Sequence, residues 1–121
     1  MVLSVSNLNR PCSLVFKIAP SEHFAMHYTH SIYDVPAAEI FEASTGHILL
    51  KSVKTDSPAV MEYYGFEGMG PLQDINLSLG PSFIVQVGMR QEQSLAIGER
   101  IIDLRTIANQ GDRIRVSLER I

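Results

Sequence analysis

The chain has 121 residues, 45% of them apolar and 19% charged, and 10 basic against 13 acidic side chains leave a net charge of −3. This composition excludes a disordered chain, and the length fits one domain that buries its own core without staples. No basic run or aromatic–basic stripe marks a nucleic-acid binder, and no apolar run comes near the roughly 20 residues of a membrane span.

The short runs of the chain alternate with a period of two, which is the strand signal. Leu3–Val5 reads as a first strand, and Asn7–Pro11 as a turn. Cys12 is the lone cysteine, so no intrachain disulfide forms. Ser13–Ala19 is a second strand. A hairpin follows, Phe24–Ile32 and Ala37–Ala43, with Asp34 and Pro36 supplying turn chemistry between its arms. If Asp34 and Val35 form a two-residue loop, Tyr28 opposes Phe41 and His30 opposes Glu39. Directly opposed residues share a face about 5 Å apart at Cβ. Tyr28, His30 and Glu39 then make a polar cluster on the more apolar face.

Ser44–Gly46 is the next turn, and Ile48–Thr55 a strand with Lys51 and Lys54 exposed. Asp56–Leu72 carries Pro58, Gly65, Gly68, Gly70 and Pro71 beside Tyr63, Tyr64 and Phe66, and reads as a long irregular loop. Its aromatics serve either as a plug for an open end of the β-structure or as the wall of a ligand site. Asp74–Leu79 and Phe83–Val87 are strands around Gly80-Pro81. Ser94–Ile97 and Arg100–Leu104 flank Gly98-Glu99, a two-residue hairpin connection with Gly first. Thr106–Asn109 fits one helical turn. In the last strand Ile114, Val116 and Leu118 face inward, and Arg113, Arg115 and Glu119 face water. Eight or nine short strands without a competing amphipathic helix predict a single all-β domain over residues 1–121, an antiparallel sandwich or partly closed barrel.

Tyr28-Thr29-His30-Ser31-Ile32, followed by Pro36 and Glu39-Ile40-Phe41, resembles the motif of an uncharacterised bacterial and archaeal family: aromatic, Thr or Ile, His, Ser, Val, then Pro, a spacer and Glu-x-aromatic. Its small proteins are typically encoded beside TRAP-type transporter genes of the TAXI class. The run Leu95–Val116 looks similar too. The resemblance implies an accessory role near solute uptake, with a small organic solute or transporter components as partners, and implies no reaction. It also implies a periplasmic or extracytoplasmic place if a signal segment has been removed; otherwise the chain reads as cytoplasmic.

Candidate ligand-binding residues are therefore Tyr28, His30, Ser31, Glu39, Tyr63 and Tyr64. The leading reading is a non-catalytic small-ligand-binding or accessory module. The first alternative is a small hydrolase or isomerase using His30 with Glu39 as an acid/base pair, since a carboxylate fixes an imidazole tautomer and raises its basicity. Ser31 alternates away from His30, so a Ser–His nucleophile is not expected. The second alternative is a structural domain that oligomerises through sheet edges. CxxC and HExxH are absent. His27 or His30 with Glu39 or Asp34 has plausible ligand chemistry but no diagnostic metal spacing, and Glu62, Glu67 and Asp74 read as solvated charges; no metal and no cofactor is expected.

Overall fold

In the computed structural model, residues 1–29, 35–65, 71–88 and 93–119 are described, with the Tyr63 side chain left out. Ten strands form two antiparallel sheets among them. They are β1 (Val2–Asn7), β2 (Ser13–Lys17), β3 (His23–Thr29), β4 (Pro36–Ser44), β5 (His47–Lys54), β6 (Leu72–Ser78), β7 (Ser82–Gln86), β8 (Gln93–Ile97), β9 (Arg100–Asp103) and β10 (Arg113–Glu119). One sheet has the order β2-β1-β10-β7 and the other β6-β5-β4-β3-β8-β9. The sheets stay open as a sandwich and do not close into a barrel. Each has two edge strands.

Alternation builds the shared core. Leu3 and Val5 of β1 and Ile114 and Val116 of β10 are fully buried, and they meet Phe24, Met26, Phe41, Leu95 and Ile97 of the facing sheet in one cluster. β10 buries Ile114, Val116 and Leu118 and exposes Arg113, Arg115 and Glu119, as its alternation predicts. Two contacts fix how the sheets overlie. Phe83 of β7 stacks on Phe41 of β4 with ring centroids 4.8 Å apart, and the Arg100 guanidinium of β9 sits 5.7 Å above the Phe16 ring of β2. The four-stranded sheet therefore covers β9, β8, β3 and β4. Ile48 and Leu50 of β5 join the same core, with Ile75 of β6 packed against it.

Turn chemistry is local. Gly98 has φ +59°, a conformation that the first loop residue of this tight hairpin requires and that glycine adopts without steric cost. Lys51 sits at a register shift on both sides: Ile40 pairs with Ser52 but Phe41 with Leu50, and Asn76 adopts φ +57° across from it in β6. The extra residue is a β-bulge. It moves the alternation by one, so that Leu50 and Val53, three apart, are both buried.

The loop expected over Asp56–Leu72 contains a short helix, α1 (Pro58–Tyr63). Ser57 caps it by accepting from the Val60 N–H, Pro58 starts it, and Gly65 follows its end at φ +90°. Val60 and Met61 are buried. The helical turn expected at Thr106–Asn109 lies two residues earlier, as a 3-10 turn over Leu104–Thr106 capped by the Asp103 carboxylate.

Candidate functional site

The β3–β4 hairpin exists, but its register differs from the expected one. Tyr28 pairs with Ala37, Met26 with Glu39 and Phe24 with Phe41, and the ladder ends at Thr29 and Pro36. A two-residue Asp34-Val35 loop does not fit this register. The expected oppositions of Tyr28 to Phe41 and of His30 to Glu39 are thus wrong by four positions. The physical reason is that Phe24 and Phe41, opposed and stacked 5.1 Å apart, anchor the ladder deeper in the core than the turn signals imply. A slip of four is even, so every side chain keeps its face. His30, Ser31, Asp34, Phe66 and Glu67 lie outside the described residues, as does the side chain of Tyr63.

The conserved parity matters for the site. Tyr28, Glu39 and Tyr64 line one cavity of about 450 Å³ beside the edge of β7. Met26, Phe41 and Leu50 form its apolar floor, and Phe83–Gln86 its opposite wall. The Tyr64 hydroxyl, held at the C-terminal end of α1, is hydrogen-bonded to the Tyr28 hydroxyl. Gln93 closes another side by bridging the sheets: its Oε1 accepts from the Gly88 N–H at 2.8 Å, and its Nε2 donates to the Gln86 carbonyl at 3.2 Å.

Glu39 is the exceptional group here. Burial raises its pKa above the ordinary 4.5, and no hydrogen bond or ion pair from the described residues reaches its carboxyl to offset that. The residue is only half-buried, and among the described residues no fully buried side-chain oxygen is left unpaired, but partial desolvation still makes the Glu39 carboxyl harder to keep ionised than a free one. Such groups in concave sites with a few convergent polar groups are functional-site candidates.

A second, shallower cavity of about 320 Å³ uses the same end of the wide sheet and shares Tyr28 with the first. His27, Ala38, Lys54 and Ser94 occupy one row across its four strands. His27 pairs with Ala38 and so projects to the face opposite Glu39; a metal site joining His27 to Glu39 is ruled out by that alternation. Among the described residues no cluster of three or more His, Cys, Asp or Glu side chains is placed to hold a metal. His23 and His27 are exposed, and His23 lies 3.4 Å from Glu42.

The sequence reading missed two devices. One is Gln93, whose side chain is indistinguishable by pattern from a surface glutamine. The other is Asp112, whose Oδ2 accepts from the Arg10 Nε at 2.8 Å, the Asn109 N–H at 2.9 Å and the Asn7 Nδ2 at 3.1 Å. These bonds, with the Arg10 charge, lower its pKa to about 2. They tie β1 and its turn to the segment before β10.

No family model matches the chain, and neither a curated protein nor a solved structure matches it.

Proposed function

We propose that this protein is a non-catalytic module that binds a small organic ligand in the cavity bounded by Tyr28, Glu39 and Tyr64. The observation that carries the reading is the Glu39 carboxyl, half-buried in a cavity of mixed polar and apolar lining, with no partner among the described residues. Folding alone gains nothing from such a group, whereas a ligand that meets it does. The transporter association is part of the same proposal and rests on the motif resemblance around Tyr28 and Glu39. Genes for a TRAP permease and a TAXI receptor next to this one are its expected context; unrelated neighbours would remove it.

The binding reading is tested by thermal melts with a panel of small acids, amines, alcohols and sugars. At least one class is expected to raise the Tm of the parent. Val85→Phe, which places a ring in the cavity, is expected to abolish that shift. A shift that survives Val85→Phe would place the ligand elsewhere.

A second reading is favoured by where apolar surface remains. Val15, Leu72, Leu77, Ile84 and Ile101, the large exposed hydrophobics among the described residues, all lie on the edge strands β2, β6, β7 and β9. Exposed edges of this kind pair readily with another chain, which supports association of copies through sheet edges. Sedimentation of the parent beside Ile101→Lys tests it: a monomeric parent at high concentration would end this reading.

A further inference from the structure

We infer that the cavity takes a small organic cation, a primary amine whose ammonium meets the Glu39 carboxylate while its apolar body lies between the Met26–Leu50 floor and the β7 wall. This rests on the reading of the cavity as a ligand site and adds the chemical class of the occupant.

The lining decides the class. Among the described residues it contains one acid and no base, and its other titratable groups are Tyr28 and Tyr64. The polar atoms of Gln93 are already used by Gly88 and Gln86. The facing positions on β5 and β7 that complete the enclosure, Leu50, Val53 and Phe83–Gln86, carry no charge. A carboxylate or phosphate entering here would be buried against Glu39 with no described cation to compensate. In a medium of reduced dielectric that repulsion is strong. A neutral ligand would leave the carboxyl desolvated and, at best, with one neutral hydrogen bond. An ammonium group supplies both charge and donors, and charge-assisted hydrogen bonds are about twice as strong as neutral ones.

The cation also has a thermodynamic signature. Burial makes Glu39 hold its proton to higher pH than a free carboxyl does. An ammonium ligand favours the ionised form, so its binding releases that proton and its affinity rises as pH rises through the elevated pKa. An anion that bound beside a protonated Glu39 would instead take a proton up.

Isothermal titration with three matched probes separates these cases: phenethylamine, 2-phenylethanol and 3-phenylpropionate, each measured at one mildly acidic pH in acetate and in MES to count protons. Phenethylamine is expected to bind the parent at least about tenfold more tightly than either of the others, with proton release, since a hydrogen bond to a charged group carries that much discrimination. Glu39→Gln should erase the preference for the amine over the alcohol. Equal binding of amine and alcohol, or tighter binding of the propionate with proton uptake, overturns the cationic class and leaves the cavity as a binding site. If no probe binds and no member of the wider thermal panel shifts the Tm, the binding reading itself falls, and this inference with it.

Discussion

At Glu39, function and stability pull in opposite directions. Its folded-state pKa lies above the unfolded one, so between the two values the folded chain holds more protons than the unfolded chain does. Stability therefore falls as pH rises through the interval between the two values, and stays at the lower level beyond it. Glu39→Gln removes this cost. The variant is expected to gain about 0.5–2 kcal/mol at pH 7, within the usual range for relief of a functional-site conflict. The gain should shrink as pH falls below the ordinary carboxyl range, which denaturant melts across pH will read. Asp112 behaves with the opposite sign. Its pKa is lowered from 3.8 to about 2, so its stabilisation is complete above the higher value and is lost as pH falls through that interval. Asp112→Asn should lower the Tm at pH 7 and flatten the acid limb of the parent's stability curve between those pH values.

Among the elements, α1 carries the most weight per residue. Six residues position Tyr64 over the cavity, and the Ser57 hydroxyl is the helix's N-terminal cap. Ser57→Ala should cost about 0.5–2 kcal/mol, as lost caps do. Chemical melts read the cost, and the same variant should weaken any cavity-bound ligand. The Ser57-Pro58 start and the Gly65 stop stand in the sequence, but one and a half turns are too short for a helical period to emerge against Gly- and Pro-rich surroundings. Strands were more legible. β3, β4, β8 and β10 follow directly from alternation, because each has one buried and one wetter face. The β3–β4 register was not legible. Turn residues constrain a short loop, whereas the Phe24–Phe41–Phe83 stack across both sheets is a tertiary contact that no local pattern contains. Tyr28, Glu39 and Tyr64 nevertheless emerge together, since an even slip preserves faces and side-chain parity is what alternation encodes. The Gln93 bridge and the Lys51 bulge depend on partners far along the chain and leave no such trace.

For the whole molecule, one core serves both sheets, so damage at its centre is global. Val116 is fully buried between them, paired with Val5 on one side and Phe83 on the other. Val116→Asp places an unpaired charge there and should cost more than about 4 kcal/mol, the exceptional end of single substitutions. Circular dichroism should show an unfolded or collapsed chain; a parent-like melt would mean that the facing of β10 is misassigned. The unequal widths of the sheets are equally global. Because β7 is an edge strand, the cavity is bounded by core side chains on its floor and by a strand edge at its side. Filling it should stabilise the entire sandwich rather than one loop, by an amount set only by ligand concentration over Kd.

The aromatic inventory gives that cavity an optical signature. The chain has no tryptophan and four tyrosines. Two of them, Tyr28 and Tyr64, share a hydrogen bond at the cavity wall. Near-ultraviolet emission is therefore tyrosine emission, undimmed by transfer to an indole, and half of its sources stand at the proposed site. A molecule that displaces the hydroxyl contact or brings charge beside it changes the quantum yield directly. The protein is thus its own reporter, and titration of the unlabelled chain can follow occupancy without any attached dye.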